Sequence, residues 1–167
     1  MQITQITIRE ALPAELAATG ELTAAVYRDE SLAEQTYLPR LRDAAARHAA
    51  PGAWQLIAVD ATGRILGAAV FTVAGSEFAD IAAGDEAEIR MLATAGFARG
   101  RGVGQALVQD CVRRTREAGR PALVLSTKPE MTAAQRLYAR LGFQRTPERD
   151  WEYAPGKGLL TFQLLLD

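Results

Sequence analysis

The sequence predicts an α/β domain with a central mixed, twisted sheet of about seven strands flanked by about four helices. Two features of the 167-residue chain carry that expectation. Segments with a two-residue hydrophobic period alternate with segments of helical period, which is how a sheet covered by helices is written. A glycine-rich turn, "FARGRGVGQALV" at 97–108, also runs directly into an amphipathic helix. The composition, 49% hydrophobic and 23% charged, is that of one globular domain with a real core.

In chain order, Ile3, Ile6 and Ile8 alternate with polar residues and predict a strand near 2–9. Pro13 suits a first helical turn, and Leu12, Leu16, Leu22 and Val26 follow helical spacing. A second helix is expected from Leu32 to His48, stopped by "APG" at 50–52. "WQLIAVD" (54–60) and "ILGAAVFTV" (65–73) read as a hairpin around "DATGR", and "AEIRMLAT" (87–94) as the next strand.

After the glycines, Gly104, Leu107, Val108, Cys111, Val112 and Thr115 form one helical face. "PALVLS" is a short buried strand. A further helix, Met131 to Leu141, sets Met131, Ala134, Leu137, Tyr138 and Leu141 on one side. Two strands, near 143–149 and 158–166, complete the expected order of β, two helices, three strands, helix, strand, helix and two strands. Residues 1–167 are expected to form a single domain.

Charge and cysteine content exclude several classes of function. A net charge of −1 argues against a globally basic nucleic-acid binder. The single cysteine, Cys111, and single histidine, His48, leave no soft-metal cluster, so no metal is expected. Cys111 sits on an apolar helix face with no adjacent base and reads as a buried structural thiol rather than a nucleophile; His48 reads as solvent-facing. No apolar run approaches the length of a membrane span, and "MQITQITIRE" lacks the layout of a signal peptide, so a cytoplasmic protein with no membrane partner is expected.

The glycine turn narrows the choice further. Glycines before a helix commonly bring backbone amides and the helix dipole onto a phosphate. Gln105 and Ala106 follow Gly104 where a nucleoside-triphosphate loop needs Lys and Ser or Thr. Counting from Gly100 or Gly102 puts Gln105 or Leu107 where a dinucleotide fingerprint needs its third glycine, and no acid for a ribose hydroxyl ends the next strand. Arg99-Gly100-Arg101-Gly102-Val103-Gly104 instead matches R-x-x-G-x-G.

With the strand "EIRMLAT" before it and "AAQRLYARLGF" about 30 residues after it, this motif resembles the GNAT family, the Gcn5-related N-acetyltransferases. The specific motifs lie between about Ala87 and Phe143, and the element order agrees over nearly the whole chain. The resemblance implies acetyl-CoA as co-substrate and direct acetyl transfer to a primary amine in a ternary complex. It also implies a homodimer as a common assembly. A small-molecule amine is the expected acceptor; a non-catalytic acyl-CoA sensor is the alternative, and a nicotinamide-nucleotide enzyme a more distant one.

Chemistry agrees with the cofactor. A pyrophosphate and a further phosphate are satisfied by turn amides and guanidinium groups, and glycines at 100, 102 and 104 let the backbone approach closely. Arg99 and Arg101, with Val103 and Gln105 in the same turn, form the expected cradle, and Arg113 or Lys128 could neutralise the remaining charge.

The resemblance assigns the pantetheine arm and thioester oxygen to main-chain groups of Met91, Leu92, Ala93 and Thr94. Ser126 and Thr127 are further candidates for cofactor contact, because Met131 stands where many members have a pantetheine-binding asparagine.

Tyr138 occupies the family position of the acid that protonates the departing sulfur; a hydroxyl of pKa near 10 carries its proton at neutral pH. Its place on an apolar helix face equally suits core packing. Glu88, on the strand beside the thioester, is the candidate base for the amine, against a surface or ion-paired role, since strand side chains alternate faces. The acidic run Glu77, Asp80, Asp85, Glu86 raises the expectation of a cationic acceptor. Trp151 and Tyr153 suit either the acceptor cleft or strand and subunit packing.

Overall fold

A computed structural model describes residues 5–167, so Ile3 and the start of the expected first strand lie outside the described residues. Eight strands form the sheet: β1 (Thr7–Glu10), β2 (Ala53–Val59), β3 (Ile65–Val73), β4 (Ala87–Thr94), β5 (Ala122–Thr127), β6 (Gln144–Arg145), β7 (Trp151–Ala154) and β8 (Lys157–Leu165). Their order is β1-β2-β3-β4-β5-β8-β6, with β7 paired to β8. Every pairing is antiparallel except β4 with β5. The helices are α1 (Leu16–Asp29), α2 (Leu38–Arg42), α3 (Ala44–Ala49), α4 (Val103–Glu117) and α5 (Thr132–Arg140).

Alternation along the strands divides the core in two. Leu56, Ala58, Ala69 and Phe71 meet Leu107, Val108 and Cys111 of α4, together with Tyr138, on one face. Val70 and Met91 meet Ala24, Leu38 and Leu41 on the other. The face of α4 read from sequence is the buried one: Leu107, Val108, Cys111 and Thr115 are all at 0% exposure. Gly67 of β3 lets α4 come down onto the sheet, since a Cβ there would lie 2.7 Å from the Ala93 carbonyl oxygen and 2.8 Å from Val103.

Two expected elements are divided, and both divisions have local causes. The helix expected over 32–48 is a 3-10 turn (Gln35–Tyr37), α2 and α3. Asp43 leaves helical geometry at ψ 64° and its carboxylate accepts the Ala46 N–H at 3.0 Å, starting a new helix. Arg47 closes α2 by donating to the Arg40 and Leu41 carbonyls, each at 2.8 Å. The strand expected over 143–149 becomes β6 and a 3-10 turn at Pro147–Arg149, and β7 follows it. Pro147 lacks the N–H a strand needs, and Asp150 grips Arg145 through two 2.8 Å hydrogen bonds.

Candidate active site

The site begins where β4 and β5 part. Their parallel ladder spans only Ala87 to Ile89 against Leu123 to Leu125. Beyond it β4 continues along β3, while Ser126 and Thr127 continue along β8. Just past the parting, Met91 and Leu92 of β4 stand opposite the single residue Ala69 of β3, and Met91 takes a φ of 52°. This bulge shifts the alternation: Ile89 packs on the α4 side, Met91 on the α1 side and Leu92 back against the α4 core. A cavity of about 510 Å³ opens at the gap, lined by Ile89 to Leu92 of β4 and by Ser126 and Thr127 of β5.

Several residues singled out from the sequence line that cavity: Met91, Leu92, Ser126, Thr127 and Tyr138. Tyr138 is 4% exposed and packs its ring 5.8 Å from both Phe143 and Phe162, so it is a core residue and a cavity residue at once. Burial pushes its hydroxyl well above the ordinary tyrosine range. Met131 also lines the cavity, and its sulfur lies 3.5 Å from the Thr127 hydroxyl. Trp151 and Tyr153 form part of the wall; Trp151 also pairs with Leu159 of β8, and its indole N–H donates to Ser126 Oγ at 3.0 Å.

The glycine turn lies just outside the cavity, on the same edge of the gap. Gly100 and Gly102 have φ of 77° and 81°, and Gly102 is the residue that caps the 15-residue α4. Among the described residues, no atom beyond their own chain neighbours comes within 4 Å of where their Cβ atoms would be, so these glycines answer to backbone conformation and open space rather than to internal packing. Gly104 touches both neighbours of the site, its Cβ position lying 3.6 Å from Leu137 and 3.7 Å from Thr94. The three segments picked out by motif therefore meet.

Arg101 and Gln105 are exposed. Arg99, also exposed, is tied at 2.7 Å to Glu30, the residue that follows α1. Arg113 is engaged along its own helix by Asp110 and Glu117, at 2.6 and 2.8 Å, and does not turn to the loop.

Glu88 is not where a base for a bound amine was expected. It is at 0% exposure and does not line the cavity. Its Oε1 accepts three backbone N–H groups, those of Asp80, Ile81 and Ala82, each at 2.9 Å, while Oε2 is buried with no partner among the described residues. Desolvation raises its pKa, against the lowering effect of those amides.

Two of the four acids in the run are held within the fold. Asp80 pairs with Arg90 at 3.2 Å, and Glu86 pairs with Arg149 at 2.8 Å. Arg149 also donates to the Ile81 carbonyl. These acids fold the 77–88 loop onto the sheet, and only Asp80 among them reaches the cavity.

Other cavity residues carried no motif in the sequence. Arg90 is, with Glu88, one of two charges in an otherwise apolar strand, the one signal that could have found it. It donates to the Phe78 carbonyl at 2.6 Å and to the Tyr37 hydroxyl at 3.0 Å. Tyr27, whose hydroxyl burial pushes up to about 12, lies 3.5 Å from the Leu92 carbonyl oxygen. Cys111 is fully buried, with its thiol raised by desolvation, and His48 is exposed away from the cavity.

Comparison with known proteins agrees with this arrangement. The family model described as "Acetyltransferase (GNAT) family" matches residues 18–143. No curated protein sequence matches the chain.

Among solved structures, a GCN5-related N-acetyltransferase from Kribbella flavida is 26% identical, with a TM-score of 0.72 over 96% of this chain and 98% of its own. The PaiA N-acetyltransferase from Thermoplasma acidophilum, in complex with coenzyme A, superposes with a TM-score of 0.72 over 97% and 99% of the two chains at 12% identity. A GNAT family acetyltransferase from Brucella melitensis, in complex with acetyl-CoA, gives a TM-score of 0.64 over 98% and 89% at 21% identity. Together the parted strands, the glycine turn at the start of α4 and the match over residues 18–143 show that the chain belongs to the GNAT acetyltransferase family.

Proposed function

We propose that the protein is an acetyl-CoA-dependent N-acetyltransferase that moves an acetyl group to a primary amine of a small molecule by direct transfer. The observation that carries this reading is the gap between β4 and β5, with Tyr138 on its wall and the α4 glycine turn at its edge. The neighbours bound to coenzyme A and acetyl-CoA support the choice of co-substrate.

Acetyl-CoA supplies the activated acyl group as a thioester. The chain's own part is binding, alignment and proton transfer. Gly100, Gly102, Val103 and Gly104, with the positive end of α4, suit the pyrophosphate, and Arg99 and Arg101 add charge beside it. Main-chain groups of Met91, Leu92, Ala93 and Thr94, freed where β4 loses its β5 partner, suit the amide-bearing arm and the thioester oxygen. Ser126, Thr127 and Gln105 are proposed as flanking contacts.

Tyr138 keeps its proton because burial disfavours the phenolate, and it donates to the sulfur as negative charge develops there. Glu88 acts by holding the 80–82 loop that walls the acceptor side, rather than by meeting the amine.

Thiol release from acetyl-CoA with a panel of amines tests the reading. Turnover with at least one amine is expected, and Tyr138→Phe should lower kcat by about 100-fold or more with acetyl-CoA affinity retained. Acetyl-CoA binding without turnover by any amine would make the protein an acyl-CoA sensor instead.

A further inference from the structure

We infer that the acceptor is a small amine that also carries a carboxylate, received by Arg40 and Lys128 at the acceptor end of the cavity. This assignment rests on the acetyltransferase reading above and names the substrate class for that site.

Five charged side chains line the cavity: Glu34, Arg40, Asp80, Arg90 and Lys128. Both acids are already committed. Asp80 is held by Arg90, and Glu34 is paired with Lys157. Arg90 is itself engaged at all three nitrogens, by Asp80, the Phe78 carbonyl and the Tyr37 hydroxyl.

Arg40 and Lys128 have no carboxylate partner among the described residues. Each is steadied over an aromatic ring instead, Arg40 at 5.2 Å from the Phe78 centroid and Lys128 at 5.3 Å from that of Tyr153. Stacking occupies the face of a guanidinium and leaves its edge donors free, the geometry that receives a carboxylate in a fork. Lys128, a sequence candidate for neutralising cofactor phosphate, lines this cavity with Arg40, whereas no residue of 99–104 does.

A polyamine entering this cavity would meet two uncompensated cations and no free carboxylate. An amine bearing a carboxylate pairs its anion with them. The same positive field disfavours the ammonium form of its amine, and so raises the share of the neutral nucleophile without a carboxylate base at hand. Tyr27, Tyr37, Trp151 and Tyr153 in the wall suit an apolar remainder.

Thiol-release kinetics with matched acceptors test the assignment: α-, β- and γ-amino acids, their carboxamides, and the amines putrescine and spermidine. The carboxylate form of the best acceptor should exceed its carboxamide at least tenfold in kcat/KM, mainly through KM. That ratio should fall towards one in Arg40→Gln combined with Lys128→Met, and stay intermediate in Arg40→Lys. Arg40 is exposed and Lys128 half-buried, and acetyl-CoA binding by calorimetry verifies that each variant is folded.

A preference for carboxamides or polyamines, or a ratio that survives the double variant, overturns the assignment while leaving the acetyltransferase reading intact. No thiol release with any amine, despite bound acetyl-CoA, defeats both.

Discussion

What Glu88 can do is decided by its neighbours rather than by its place in the sequence. A carboxylate on the strand beside the thioester suits a base, yet its Oε1 is filled by three loop amides and its Oε2 is sealed from solvent. Removing the carboxyl should therefore act on the loop. Glu88→Ala leaves three amides without their acceptor and is expected to lose about 2–4 kcal/mol, read from urea unfolding. Glu88→Gln keeps an acceptor oxygen and should retain kcat within about threefold; a drop of 100-fold at unchanged stability would restore the base assignment. The pH dependence separates them further. Because burial raises the folded-state pKa, the stability that Glu88 contributes is fully present when the group is protonated, below the ordinary glutamate range, and is lost as pH rises through the raised value. The stability of Glu88→Gln relative to wild type should accordingly improve from acid to neutral pH.

At the scale of elements, periodicity located nearly every helix and strand, and what it missed were breaks made by single side chains. The division of 32–48 depends on Asp43 turning to the Ala46 amide and on Arg47 reaching two carbonyls, interactions that hydrophobic spacing does not encode. The extra strand follows from the turn at Pro147, which Asp150 pins by pairing with Arg145 and accepting the Thr161 N–H. That pin places Trp151 in the cavity wall, and the Arg145 guanidinium holds the Asp150 carboxyl down to about 2. A depressed carboxylate contributes stability above its unfolded pKa and loses it as pH falls towards the folded value. Asp150→Asn should therefore flatten the fall in urea midpoint between about pH 4 and pH 2. The glycine turn behaves differently, since its motif was legible and its geometry demanded it. With φ at 81° in Gly102, Gly102→Ala should destabilise the chain by about 1 kcal/mol and weaken acetyl-CoA binding more than tenfold by titration calorimetry, because the α4 amides would be re-aimed.

For the molecule as a whole, the motif residues near the proposed cofactor path could be found from sequence because they fall in one contiguous stretch, 87–143. Tyr27 and Arg40, from α1 and α2, carried no such motif, and only the folded sheet brings them to the same cavity as Asp80 and Trp151. Nor does any residue type announce that the β4–β5 ladder stops after three pairs, since the stop is a main-chain event. That short ladder lies in the interior of the sheet, between the longer pairings of β3 with β4 and β5 with β8. A ligand laid between β4 and β5 has unpaired backbone on both sides to engage. Binding there adds stability to the folded state alone, by about 2.7 kcal/mol at a hundredfold excess over Kd. For a chain of 167 residues that corresponds to a rise in Tm of roughly 5–10 °C. Acetyl-CoA should produce this shift in thermal unfolding, together with slower amide exchange at the ends of β4 and β5. NAD at the same concentration should produce neither. A shift with NAD alone would return the glycine turn to the dinucleotide class, whereas a shift with acetyl-CoA lacking any added protection at β4 and β5 would put the ligand elsewhere than between the parted strands.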